Sequence, residues 1–106
     1  QPRGERGVIW FIITTAVMQP PLVVGESYKR YEGCVDHSVG VLRRSHLSIK
    51  QIVDQAMTRC TSLEEKAVLE SVKMMGGGAD EARVQMIREQ MRETMRLYAK
   101  EITTAE

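Results

Sequence analysis

The chain has 106 residues, with 15 basic and 14 acidic side chains and a formal net charge of +1. This length suits one domain, and a hydrophobic fraction of 42% is typical of a globular chain rather than a disordered one. Because the two kinds of charge are mixed along the chain, the sequence lacks the electrostatic footprint of a nucleic-acid-binding domain, and nucleic acid is excluded as a partner.

The first 25 residues differ in composition from the rest. Two arginines precede an uncharged run, residues 8–18, which a Gln-Pro-Pro sequence interrupts. A basic start, a short apolar centre and small residues ahead of Glu26 are typical of a secretory signal. The alternatives are a membrane-proximal segment that stays attached and an ordered strand or buried helix. We therefore divide the chain into a signal-like or membrane-proximal apolar segment, residues 1–25, and a helical domain, residues 26–106.

From residue 26 onward, apolar residues recur at steps of three and four, which is the period of an amphipathic helix. The first helix is predicted over residues 26–44 and the second over residues 49–60, with a short turn between them. Ser48 and Gln51 have the spacing of a capping box at the start of the second helix. The inward residues predicted for this pair of helices are Tyr28, Tyr31, Val35, Ser38, Leu42, Ile49, Ile52, Val53, Ala56, Met57 and Cys60.

Two further helices follow. A third helix is predicted over residues 63–75, after a second capping box at Ser62 and Glu65, and Gly76 can end it in a left-handed conformation. A final helix is predicted over residues 81–102. The inward residues predicted for these two helices are Leu63, Ala67, Val68, Val72, Met75, Val84, Ile87, Met91, Met95, Tyr98 and Ile102. The charged side chains predicted to lie mostly on the solvated side of the final helix are Arg83, Arg88, Glu89, Arg92, Glu93 and Arg96.

Cys34 and Cys60 lie at matched distances from the predicted turn, 11 residues before it and 12 residues after it. At a rise of about 1.5 Å per residue, both reach the same level of an antiparallel helical hairpin, which predicts a disulfide bond between them. The alternatives are two free thiols and a zinc site that adds His37 and His46, although that spacing matches no common structural zinc pattern. The predicted fold is therefore all-α, a small bundle of about four helices with one disulfide, preceded by an apolar N-terminal segment.

No motif in the chain specifies a reaction. Asp36, His37 and Ser38 have the residue types of a hydrolase triad, but adjacent helix positions point about 100° apart and cannot form one relay. We therefore predict no catalytic residue, no cofactor and no metal ligand, and we expect that the protein is not an enzyme.

Four side chains are candidate interface residues. Met86 and Leu97 lie off the main apolar stripe of the final helix and would leave apolar surface for a partner or a second copy. Tyr28 and Tyr31 lie near the open end of the hairpin, where they would pack over the disulfide or serve at an interface. We therefore expect a protein partner, with a homodimer as an option, and membrane contact only through residues 8–24.

The chain resembles a broad group of small exported proteobacterial proteins in three short motifs: Tyr31-x2-Cys34, Ser48-x3-Ile52-Val53-x2-Ala56, and Cys60. That group shares a Tyr-x2-Cys helix, a capped second helix that ends in Cys, and a charged terminal helix. Some similar small helical proteins are immunity proteins, which neutralise toxins delivered by type VI secretion. The resemblance implies a disulfide, export and a protein partner, and it carries no catalytic residue onto this chain.

The sequence thus predicts an exported helical protein-binding module, in the periplasm or secreted, with an immunity-type inhibitor of a secreted toxin as its specific form. The alternative is a structural subunit of a membrane-associated assembly, anchored by residues 8–24.

Overall fold

Four helices lie within residues 22–105, the part of the chain that the computed structural model describes. α1 spans Glu26–Leu42, α2 spans Ile49–Arg59, α3 spans Thr61–Met75 and α4 spans Glu81–Thr104. This stretch contains no β-strand, so the predicted all-α fold is confirmed. Most of the predicted N-terminal segment, residues 1–21, lies outside the described residues.

All four helices surround the core. α1 packs against all three other helices, and α2 and α3 each pack against both α1 and α4 rather than mainly against each other. Their apolar stripes meet in a single buried cluster, in which each fully buried aliphatic or methionine side chain contributes about 1.5–3 kcal/mol. The fully buried apolar side chains are Tyr31, Val35, Ala56, Cys60, Val68, Ile87, Met91, Met95 and Ala99.

The start of α2 is the capping box that the sequence predicts. The backbone N–H of Gln51 donates to the Ser48 hydroxyl at 3.2 Å, and the backbone N–H of Ser48 donates to the Gln51 side-chain oxygen at 2.9 Å. Two backbone donors at the helix start are thereby satisfied. Ile49, the first residue of this helix, is 46% exposed, so its predicted place in the core is wrong.

The second predicted capping box does not form. α3 begins at Thr61, directly after Cys60, so Ser62 lies inside the helix rather than before it. Cys60 separates α2 from α3 with a non-helical φ of −105° and ψ of 18°. The Glu65 side chain contacts α4 instead of its own helix start. A single residue therefore changes the direction of the chain between two helices.

Gly76 ends α3 as predicted. Gly76, Gly77 and Gly78 have φ angles of +71°, +82° and +88°, which only glycine adopts readily. Three successive residues of this kind let the chain reverse toward α4, where the Asp80 side chain accepts a hydrogen bond from the Arg83 backbone N–H at 3.0 Å.

Gly33 and Gly40 sit inside α1, where their conformational freedom lowers stability. A Cβ atom added at either position has no atom within 4 Å, and neither residue has a positive φ. We expect Gly33→Ala and Gly40→Ala each to raise the free energy of unfolding by about 0.5–1 kcal/mol. Gly76→Ala, the matched control at positive φ, should lower it by about 1 kcal/mol. Urea denaturation followed by circular dichroism measures all three, and a loss of stability in the α1 variants would contradict the expectation.

Candidate functional site

The disulfide joins Cys34 of α1 to Cys60 at the α2–α3 junction, with the two Cα atoms 6.0 Å apart. Cys60 is fully buried, and the Ser38 hydroxyl lies 3.7 Å from its sulfur. The predicted bond is therefore confirmed. Because each sulfur is bonded to the other, both the free-thiol and the zinc alternatives are excluded. Nowhere in residues 22–105 do three histidine, cysteine or acidic side chains form a group able to hold a metal ion.

One side of α4 carries a row of cations at four-residue steps, which we call the basic row: Arg88, Arg92, Arg96 and Lys100. The first three each form an ion pair with an acid of α2 or α3, at 2.8, 2.8 and 2.7 Å: Glu65, Glu64 and Asp54, respectively. The arginines that the sequence predicts on the solvated side therefore join α4 to its neighbours. Lys100 has no ion-pair partner within the described part of the chain.

Glu64 is the most deeply buried acid of these pairs, with a side chain that is 4% exposed. Arg92 donates to its two oxygens from Nε and Nη2 at 2.9 and 2.8 Å, and the Tyr31 hydroxyl donates to it at 3.2 Å. Burial and the neighbouring Glu64 carboxylate raise the pKa of Tyr31, so the phenol stays protonated as a donor.

Sequence reasoning missed this role for Glu64. A signal for burial was present, because Glu64 shares one face of α3 with Ala67, Val68 and Ser71, all of which are buried.

The other two acids that pair with the basic row, Glu65 and Asp54, are more exposed than Glu64. Arg88 donates to both oxygens of Glu65 at 2.8 Å, and these hydrogen bonds lower the pKa of that carboxyl. Asp54 accepts from Lys50 at 2.8 Å and from Arg96 at 2.7 Å, and these hydrogen bonds lower the pKa of Asp54. Both carboxyls therefore remain ionised at neutral pH.

Two surface depressions are lined by residues of α2 and α4, and they share the paired residues Asp54 and Arg96. We call the two depressions together the α2–α4 groove. The polar depression, of about 320 Å³, lies over the α2–α3 junction and is also lined by Met57, Thr58, Thr61, Glu64 and Arg92. The apolar depression, of about 510 Å³, is also lined by Ile49, Lys50, Val53 and Lys100. Both are of the size of ordinary ligand pockets.

The apolar depression combines an aliphatic floor with a charged rim. Ile49 is half-exposed and Val53 closes the floor beneath it with 5% exposure. The rim carries three cations and one acid, so its net charge is positive: Lys50, Arg96 and Lys100 against Asp54. This arrangement can hold an apolar group together with a negative one.

The four predicted interface residues do not meet at one place. Tyr31 is fully buried and Tyr28 is half-buried beside it, with the ring centres 6.2 Å apart in an edge-to-face contact. Tyr31 contacts Met57 of α2 and Glu64 of α3, so it packs among the helices. The expected role of the two tyrosines over the disulfide or at an interface stays a prediction. Met86 and Leu97 are 46% and 59% exposed, on the side of α4 opposite its buried stripe. Neither lines the α2–α4 groove.

The predicted triad residues also do not form a site, because Asp36 and His37 are exposed on α1 whereas Ser38 is buried beside Cys60. Spacing along one helix keeps them apart, as expected.

The start of α1 and the residues just before it are packed against α3. The Ser71 hydroxyl donates to the Val23 carbonyl, the Ser27 backbone N–H donates to Glu70 at 2.8 Å, and Leu22 packs on the core. Residues on both sides of the predicted boundary between residues 25 and 26 therefore contact α3. Among the residues that the structure describes, no helix has the length and apolar character needed to cross a membrane.

Comparison with known proteins gives no match to a family model, a curated protein or a solved structure. The resemblance to exported helical proteins therefore stays a prediction.

Proposed function

We propose that this protein is an exported helical protein-binding module and that the α2–α4 groove is its binding surface. The observation that carries the proposal is the groove's half-exposed Ile49, set on an aliphatic floor and bordered by Lys50, Arg96 and Lys100. Protein interfaces have this anatomy, in which an apolar centre excludes water and a polar rim surrounds it.

The groove lies on helices that are joined to their neighbours. The Cys34–Cys60 disulfide ties α1 to the end of α2, and the Asp54–Arg96 pair at 2.7 Å ties α2 to α4. A surface held in this way loses little conformational freedom on binding, which favours affinity.

The disulfide also supports export. Disulfides persist in oxidising compartments such as the periplasm and the extracellular space, and they are rare in the cytosol. An immunity-type inhibitor, which binds a secreted toxin, is the specific form of this function that we propose.

Site-specific photo-crosslinking tests the binding surface. A benzophenone amino acid placed at Ile49 should give a covalent adduct of discrete mass with one protein in the native cells. The same group at Lys29, an exposed position on α1, is the control and should give none. Failure of the Ile49 position to give an adduct, or equal adducts at both positions, would contradict the proposal.

A structural subunit of a membrane-associated assembly is the second candidate. The contact of Val23 with Ser71 favours it, because removal of residues 1–25 would take away the carbonyl acceptor of a part-buried hydroxyl and leave it the weaker Met75 sulfur at 3.8 Å. Intact mass of the native protein separates the two. A chain that begins at Glu26 would exclude an anchor over residues 8–24, whereas a chain that retains this segment would favour the membrane-associated subunit.

A further inference from the structure

We infer that the partner enters the α2–α4 groove with an acidic amphipathic helix, which places a carboxylate on Lys100 and a large apolar side chain over Ile49 and Val53. This inference rests on the proposed function and adds the chemistry of the partner. In this inference, Lys100 is the residue that favours an acidic partner over a neutral or basic one.

The pattern of the basic row identifies Lys100 as the cation available to a partner. Each of the three arginines in the row pairs with an acid of α2 or α3. Lys100, the fourth cation, has no such acid on α2. The α2 residues that line the apolar depression with Lys100 are Ile49, Lys50, Val53 and Asp54, and the only acid among these four, Asp54, already pairs with Lys50 and Arg96. An acid from another molecule could form with Lys100 the kind of ion pair that the three arginines form, next to the apolar side chains of Ile49 and Val53.

The charges around the depression favour an acidic occupant over a neutral one. Asp54 is shared by Lys50 and Arg96, so one carboxylate serves two cations. A carboxylate that approaches Lys100 therefore meets a rim with excess positive charge, which attracts it and disfavours a basic segment.

The same charges argue against other occupants of this groove. In a twofold dimer that placed groove on groove, the positive rims of two copies would face each other and repel. Attraction to an anionic membrane surface usually needs a cluster of 4–8 basic residues, more than this rim provides. An amphipathic helix supplies an apolar side chain and an acid one turn apart, which suits a groove between two helices.

Peptide display tests the inference directly. Random peptides of about 15 residues, enough for four helical turns, are selected on the purified oxidised protein, with counter-selection on the Lys100→Glu variant. We expect enrichment of sequences with an acid three or four residues from a large apolar side chain. Affinity of the best peptide is then measured by fluorescence anisotropy.

Matched variants define the expected changes in Kd. Lys100→Glu should weaken binding by about tenfold, and Ile49→Ser by a similar factor, whereas Lys29→Glu on α1 should change it less than about twofold. Replacement of the peptide's acid by lysine should restore binding to Lys100→Glu, which a merely structural role of Lys100 would not produce. Unchanged urea midpoints for the variants are required.

The inference would be overturned if no peptide were enriched, if the enriched peptides lacked acids, or if Lys100→Glu left the Kd unchanged. Displacement of the peptide by vesicles of phosphatidylglycerol would also overturn it and assign the groove to membranes. The crosslink at Ile49 is independent of these results. If that adduct forms equally well in the Lys100→Glu background, the proposed protein-binding function stands and the acidic partner is wrong.

Discussion

Replacement of both cysteines, in Cys34→Ala/Cys60→Ala, is expected to lower the free energy of unfolding by about 3.5 kcal/mol. The bond joins residues 26 positions apart, and without it the unfolded chain regains the freedom of that loop. In a domain of this size the loss is a large fraction of the total stability, which for small proteins is about 5–15 kcal/mol.

Urea denaturation with and without a phosphine reductant measures this effect. The wild-type midpoint should fall on reduction to near that of the double variant, and the double variant should not respond to the reductant. Because the bond lies at the α2–α3 junction, its loss should also weaken binding at the α2–α4 groove. Coincident wild-type midpoints in the two conditions would contradict a stabilising role for the bond.

Replacement of Glu64 by glutamine is expected to lower the free energy of unfolding by about 2 kcal/mol. Glutamine keeps the volume but removes the charge that accepts two hydrogen bonds from Arg92 and one from Tyr31. The buried phenol and the guanidinium then lose their ionic acceptor. Because the Arg92 side chain is 44% exposed, water can replace part of its interaction, which keeps the loss below that of a fully buried pair.

Glu65→Gln is the matched control for this prediction. Glu65 makes the same two-oxygen contact with Arg88, but its side chain is 42% exposed, so its replacement should cost less than about 1 kcal/mol. A double-mutant cycle between Glu64→Gln and Arg92→Met isolates the pair energy. Equal losses for Glu64→Gln and Glu65→Gln would show that burial does not decide the strength of the contact.

The local pattern of the sequence was enough to predict the helices and the disulfide. Ser48 and Gln51 lie three residues apart, so their capping box depends only on the backbone between them, and it forms as expected. The cysteine bond follows from helical rise on either side of one short turn, which is also a local quantity. Gly76 ends α3 because its φ of +71° suits glycine alone.

Local pattern failed where a distant helix competed for the same side chain. Ser62 and Glu65 have the spacing of a capping box, yet Glu65 pairs with Arg88 of α4 and the helix begins earlier, at Thr61. Ile49 continues the apolar stripe of α2 but remains exposed at the helix start. In both cases the arrangement of the other helices decided the outcome.

The sequence by itself determined where the helices lie, which faces they bury and which cysteines meet, because these depend on periodicity and on short chain distances. Only the tertiary structure decided the burial of Glu64, the partners of the basic row and the α2–α4 groove. The three ion pairs of that row join residues 23, 28 and 42 positions apart. Periodicity places each arginine on one side of its helix, but only the packing of α4 against α2 and α3 decides which acid lies opposite it.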